Sequence, residues 1–288
     1  MSLVERIMNI RMWQQNGRRA PHKPLLLLYA LARFQREGEG PILYSAAEKE
    51  LAELIRDFGP PGAAGPYYPF DRLANDDDLW TVATGDGLPS PGDSPVRLRE
   101  TGAVGRFTPS VVAELRTRPE KLLEAARALL DANFPESLHE SICDAVGLDL
   151  HRTPYVLRRV TRPRDPAFRR AVLNAYAHRC AFCDYEGRLA GTTVGLDAAH
   201  IRWFAFDGPD TLDNSLCLCS LHHVLFDKGV LTLTHDHRVR VTDAFTGGTP
   251  TTRAQVHALA GRPVAPPVPA LASAHLTWHH AQVFHGAA

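Results

Sequence analysis

Neither sign of charge is in excess in this chain. Lys and Arg number 32, Asp and Glu number 32, and the formal net charge over 288 residues is zero. A protein coated in basic charge is thereby excluded. Long apolar runs are also missing, and without one of about 18 residues no helix crosses a bilayer. Met1 to Arg11 lacks an apolar stretch followed by a small-residue cleavage site, so no secretory leader is expected and a cytoplasmic location is. Cysteine is scarce, at five residues. In a cytosolic chain, Cys grouped as C-x-x-C points to metal rather than to disulfides. Internal repeats and low-complexity tracts are absent. What remains is an ordinary globular composition, 44% hydrophobic, in a chain long enough for two domains.

The zero conceals an asymmetry. Residues 1–150 hold 17 basic and 22 acidic side chains, and residues 151–288 hold 15 and 10. Twelve of the 14 His and four of the five Cys lie in the second part. A His- and Cys-rich, net-positive half suggests a metal and a polyanion.

The first part reads as mostly helical. Leu3 to Gln15 is amphipathic, and Asn16 to Lys23 is a basic loop. Pro24 to Phe34 reads as a buried helix, with Pro at its first position and Leu through its turns. Further helices are expected over Ala46–Phe58, Val111–Thr117 and Pro119–Asn133, and from Pro135 to about Val146. Leu79 to Val82 looks like a short strand, and Gly85 to Pro95 like a long polar loop. His151 to Asp165 is Arg-rich and contains two prolines, as a linker or a phosphate-contacting segment would. A helix is expected over Pro166–His178. The expected fold class is α+β: a mainly α-helical first domain with short strands, then a smaller-element second domain. The expected boundaries are 1–150, a basic linker 151–165, and 166–288.

Cys180-Ala181-Phe182-Cys183 is a C-x-x-C, and Cys219-Ser220-Leu221-His222 is a C-x-x-H further along. Two residues between ligands let a tight knuckle aim both donors at one ion. Two such pairs close a tetrahedral, structural Zn²⁺ site. Cys217 is spaced wrongly for this and reads as a buried strand residue. Cys143 has no partner and reads as core.

Between the two pairs lie Leu196-Asp197-Ala198-Ala199-His200-Ile201, then Asp213-Asn214-Ser215-Leu216-Cys217-Leu218-Cys219. His222-His223-Val224-Leu225-Phe226-Asp227 follows. Across about Phe168 to Leu233 the chain resembles the HNH (ββα-metal) nucleases. The resemblance implies His200, Asn214 and His223 as the catalytic positions. His200 would be the general base that takes a proton from water, which neutral imidazole does well near pH 7. Asn214 does not titrate, so its role would be positional. His223 follows His222 on a helix, where neighbours point about 100° apart. One can therefore face the structural zinc and the other a catalytic Mg²⁺ or Mn²⁺. Many members carry a metal ligand just before the general base, but here that residue is Ala199. Asp197 is preferred as the second ligand to the catalytic ion. Asp227, at i+4 from His223, is its rival.

Arg18-Arg19-Ala20-Pro21-His22-Lys23-Pro24-Leu25 and Tyr68-Pro69-Phe70-Asp71-Arg72-Leu73, with Leu79-Trp80 beyond, carry a second resemblance. Over about residues 5–150 the chain resembles the sulfur-binding domain of modification-dependent McrA-type restriction enzymes, which recognise phosphorothioated DNA. Sulfur is larger and a poorer hydrogen-bond acceptor than oxygen, so an apolar cup favours it over a well-hydrated oxygen. Tyr68 and Pro69 are the expected cup, with Phe70 beside them. Arg19, His22, Lys23 and Arg72 are expected on phosphate oxygens or a guanine edge.

The resemblances together imply a phosphorothioate-dependent (type IV) restriction endonuclease acting on double-stranded DNA. Cutting both strands needs two active sites, so a homodimer is expected, with His275 to Phe284 as a candidate surface. Two alternatives stay open. One is an HNH enzyme reading another modification such as methylcytosine. The other is a zinc-stabilised DNA-binding protein that does not cleave.

Overall fold

The computed structural model describes residues 2–11, 21–76, 78–150, 166–264 and 269–286. Arg19, the basic segment 151–165 and residues 12–15 of the amphipathic stretch Leu3–Gln15 lie outside them. The chain divides into two compact units, Met1–Thr161 and Arg162–Ala288.

In the first unit, α1 (Leu3–Met8) opens with a capping box in which the Ser2 hydroxyl accepts from the Glu5 amide and the Glu5 carboxylate accepts from the Ser2 amide. α2 (His22–Glu37) begins two residues before the expected Pro24. Pro is tolerated there because the first four helical N–H groups have no intrahelical acceptor. Every residue from Pro24 to Ala32 is buried, so α2 is apolar all round and serves as the central helix. Packed on it are α3 (Tyr44–Phe58), α4 (Tyr67–Arg72), α7 (Glu120–Asn133) and α8 (Glu136–Val146). α5 (Pro95–Glu100) and α6 (Pro109–Thr117) complete the helices. The sequence reading missed α4 and α5. Each carries a proline in its first turn and is short enough to resemble a loop. Ser94 caps α5 by accepting from the Arg97 amide.

The unit's sheet is antiparallel, in the order β1 (Ile42–Leu43), β3 (Val104–Phe107), β2 (Trp80–Ala83). Trp80 pairs with Phe107 and Val82 with Gly105. A Cβ on Gly105 would come within 2.2 Å of the Trp80 ring, so only glycine fits. Around Trp80 an edge-to-face cluster runs from Tyr44 to Phe70 at 5.1 Å, Phe70 to Trp80 at 5.9 Å and Trp80 to Phe107 at 5.8 Å. The Trp80 indole donates to the Phe70 carbonyl at 3.0 Å.

The second unit is built on a two-stranded antiparallel hairpin followed by a helix. β6 (Leu196–His200) pairs with β7 (Ser215–Cys219), with Ala198 opposite Cys217 and His200 opposite Ser215. α10 (Ser220–Asp227) follows at once and packs back on both strands. α9 (Pro166–Ala175) lies on the same hairpin, with Val172 and Leu173 buried. A short hairpin, β4 (Arg188–Leu189) with β5 (Thr192–Thr193), extends from the knuckle that holds Cys180 and Cys183. A third hairpin, β8 (Leu231–Leu233) with β9 (Val239–Val241), leads to α11 (Pro250–Gln255) and α12 (Ser273–Gln282). The candidate dimer surface His275–Phe284 is largely core. Leu276, Trp278 and His279 are buried, and His279 stacks on Phe226 with ring centroids 3.9 Å apart. Among the described residues no helix is long and apolar enough to cross a membrane.

Candidate metal centre and active site

Cys180, Cys183, Cys219 and His222 converge in the second unit. Their ligand atoms all lie within 4.8 Å of one another. The knuckle supplies the first pair, and the β7–α10 junction supplies the second. Cys180 Sγ is 3.5 Å and Cys219 Sγ 3.2 Å from His222 Nδ1, and Cys183 Sγ is 4.0 Å from Cys219 Sγ. Four ligands on a tetrahedron with Zn–S bonds of about 2.3 Å have S···S edges of about 3.8 Å. The group therefore fits a four-coordinate ion. His222 is turned correctly for it, because its Nε2 donates to the Gln255 carbonyl at 2.8 Å and so leaves the Nδ1 lone pair toward the sulfurs.

Packed this closely, the four groups perturb one another's proton affinities. Sulfur contacts from Cys180, then Cys219, push the Cys183 thiol far up, and contacts from Cys180 and Cys183 hold Cys219 far down. Burial alone would lower His222, but its bonds to Cys180 and Cys219 raise it to about 10. Cys217 stands apart on β7, where burial raises its thiol to about 12. Burial likewise raises Cys143, in α8, to about 11. Both are inert core thiols.

His200 ends β6 and is 7% exposed. Phe168 of α9 stacks on its ring, centroids 4.8 Å apart, and Nε2 lies 2.7 Å from an Asp210 carboxylate oxygen. Asn214 is fully buried at the far end of the β6–β7 connection. Its side-chain oxygen accepts from the Arg202 amide at 2.8 Å. Its side-chain nitrogen donates to the Arg202 and Pro209 carbonyls, each at 3.0 Å. Asn214 thus ties the two ends of that loop together. His223, next on α10, is not one of the four clustered ligands, and its Nε2 lies 3.2 Å from the Asp227 carboxylate, itself 1% exposed.

Asp197, the preferred second ligand in the sequence, makes its hydrogen bonds elsewhere. It is three positions before His200 on a strand, so the two side chains leave opposite faces. Its carboxylate is held by the Arg169 guanidinium at 2.9 Å and accepts from the Ala198 amide. The carboxylates beside the two histidines are instead Asp210 and Asp227. Asp227 was legible as the i+4 neighbour of His223. Asp210 was missed, since Gly208-Pro209-Asp210 reads like any polar turn.

In the first unit α4 presents Tyr68 and Arg72, 38% and 47% exposed. The Arg72 guanidinium sits 6.0 Å from the Tyr68 ring centroid and donates to Asp93 at 2.9 and 3.1 Å. Hydrogen bonding to Asp93 raises its already high pKa. Pro69 and Phe70, between them, are buried. Phe70 is wholly enclosed by Tyr44 and Trp80 and is scaffold, not a DNA contact. Lys23 is likewise diverted. Its side chain is 11% exposed, and its ammonium donates to Asp76 at 2.5 Å and to the Arg11 carbonyl at 2.9 Å. His22, the first residue of α2, is half-buried.

The model of the ScoMcrA-like DNA sulfur-binding domain matches residues 1–151. The chain belongs to this family. An HNH endonuclease model matches residues 180–234, the span that holds the metal cluster, His200, Asn214 and His223. The chain is therefore a DNA endonuclease that joins a sulfur-binding domain to an HNH domain. Among solved structures it is similar to the sulfur-binding domain of ScoMcrA complexed with phosphorothioated DNA. That match has 25% identity and a TM-score of 0.43, over 51% of this chain and 96% of that one. The SprMcrA sulfur-binding domain with phosphorothioated DNA is 21% identical, with a TM-score of 0.42, over 50% and 91%. The type IV phosphorothioation-dependent restriction endonuclease ScoMcrA is 23% identical, with a TM-score of 0.40. There the match covers 59% of this chain but only 33% of that enzyme. No curated protein matches.

Proposed function

We propose that this protein is a type IV restriction endonuclease that binds phosphorothioated double-stranded DNA through its first domain and hydrolyses nearby phosphodiester bonds with its second. The observation that carries the reading is the pairing, in one chain, of a sulfur-binding family match with an HNH match over His200, Asn214 and His223. The domains proposed are 1–150 and 166–288, joined by the basic segment 151–165.

In the second domain His200 is the general base. As a water oxygen bonds to phosphorus, the water's proton passes to the His200 imidazole. The bond from phosphorus to the leaving oxygen breaks, and that oxygen takes a proton from solvent. Asn214 holds the loop that carries the base. His223 would hold the catalytic divalent ion, Mg²⁺ or Mn²⁺, with the buried Asp227 carboxylate beside its ring. An imidazole backed by a carboxylate is a common donor arrangement for such ions. When bound, the ion would offer positive charge to the oxyanion that develops on the leaving side. Cys180, Cys183, Cys219 and His222 would hold the structural Zn²⁺.

In the first domain Tyr68, backed by Pro69, is the apolar surface for sulfur. Arg72, His22 and Arg19 meet flanking phosphates or base edges. Lys23 contributes by fixing the start of α2 through Asp76. With one HNH site per chain, cutting both strands takes two copies, so a homodimer forms on DNA.

The test is binding of the full chain to matched duplexes with and without one phosphorothioate linkage. Preference for the sulfur-bearing duplex is expected. Equal affinity would overturn the recognition half of the proposal.

A further inference from the structure

We infer that Asp210 is a positioning residue of the nuclease site, fixing the tautomer and rotation of the His200 ring, and that Asn214 acts through it. The inference rests on His200 being the general base.

The contact is short and sheltered. Asp210 Oδ1 lies 2.7 Å from His200 Nε2, with the two side chains 22% and 7% exposed. A carboxylate at this distance accepts the Nε2–H. An imidazole that donates from Nε2 carries its lone pair on Nδ1, so the carboxylate decides which nitrogen can take a proton from water. Phe168, stacked at an interplanar angle of 26°, confines the ring's tilt but leaves the in-plane flip undecided. The bond to Asp210 decides that flip.

The loop is built to deliver this carboxylate. Asp207 takes a left-handed conformation, φ 59°. Gly208 then passes so close to the chain that a Cβ there would lie 1.8 Å from the Arg202 carbonyl oxygen. The Gly208 amide donates to the Trp203 carbonyl at 3.0 Å. The residues on either side of Asp210 are both anchored to Asn214. The Pro209 carbonyl accepts from its side chain at 3.0 Å, and the Thr211 carbonyl accepts from its backbone amide at 3.1 Å. Asn214 therefore clamps the peptide units that flank Asp210. A residue that cannot titrate thereby supports the proton acceptor.

The experiment uses the full chain and its Asp210→Asn variant, an isosteric change whose amide can donate to Nε2 and so favour the opposite tautomer. Histidine ring ¹⁵N NMR, with His200 assigned by its absence in His200→Ala, should show an Nε2–H ring in the parent and a changed tautomer in Asp210→Asn. Single-turnover cleavage should slow at least tenfold and by no more than loss of the base itself, about 10²–10⁴-fold. Melting temperature and DNA affinity should stay unchanged. Asn214→Ala should produce the same ring change. Parent-like cleavage and an unchanged ring in Asp210→Asn would overturn the inference while His200→Ala stayed inactive. Full cleavage by His200→Ala would overturn the general-base reading instead, whatever Asp210→Asn did.

Discussion

The two domains bring their functional residues together by different means. In the second, the Cys/His cluster, His200, Asn214 and His223 all fall within the span from Cys180 to His223, organised by one hairpin and one helix. Each histidine is oriented by a neighbouring acceptor: the Gln255 carbonyl behind His222, Asp210 behind His200, Asp227 behind His223. In the first, the candidate DNA contacts stand on separate elements, at the start of α2 and on α4. The residues between them are given over to the core. Chemistry on a metal and a scissile bond demands fixed geometry within a few ångströms. Recognition of a phosphate backbone tolerates dispersed, half-exposed side chains. The first domain's net negative charge fits this, because only a small local face need meet DNA.

The largest expected effect tests the rigid half of that contrast. Removing the metal by a strong chelator, or Cys219→Ser, should abolish cooperative unfolding of the second domain. Structural zinc of this type contributes on the order of 10 kcal/mol to folding. Calorimetry should retain the first domain's transition, and elemental analysis should find one zinc per untreated chain. Zinc takes cysteine as thiolate and histidine as neutral imidazole, so its binding releases protons. Affinity for zinc should therefore fall as pH falls, with proton release measurable in buffers of different ionisation enthalpy.

Next comes His200→Ala, expected to lower the cleavage rate by about 10²–10⁴-fold while DNA affinity holds. A comparable loss of binding would make His200 a DNA contact rather than the base.

Phe70→Ala and Tyr68→Ala divide α4 between core and surface. Phe70→Ala should destabilise the first domain by about 3–5 kcal/mol in denaturant titrations, as large core truncations do. Tyr68→Ala should leave stability within about 0.5 kcal/mol and weaken binding to sulfur-bearing DNA. Reversed outcomes would exchange their roles. The smallest effect belongs to Arg72→Ala, which should lower the salt dependence of DNA binding by roughly one phosphate contact.

Legibility in the sequence follows the same division. The Cys/His cluster is readable because a shared ion favours short spacing, and the HNH match because His200, Asn214 and His223 punctuate that spacing. Most helices of the first domain were readable from their apolar stripes, and α2 from its unbroken run of leucine. Asp210 was hidden because its role depends on loop closure by Asn214, which spacing does not express. Spacing also does not express partners: Asp197, three before His200 on a strand, leaves the opposite face and pairs with Arg169. Phe70 and Lys23 likewise meet partners within the protein. A motif marks a neighbourhood, but only packing decides that Tyr68 and Arg72 face outward while Phe70 meets Trp80 and Lys23 meets Asp76.

The joint action of the two domains is most directly tested by cleavage of one duplex in two forms, identical except for a single phosphorothioate linkage. Mn²⁺ should be present, with His200→Ala as control. Strand breaks near the sulfur in the modified duplex, none in the unmodified one, and none by the variant are predicted. Equal cleavage of both duplexes by the parent protein would contradict the coupling of sulfur recognition to the HNH site.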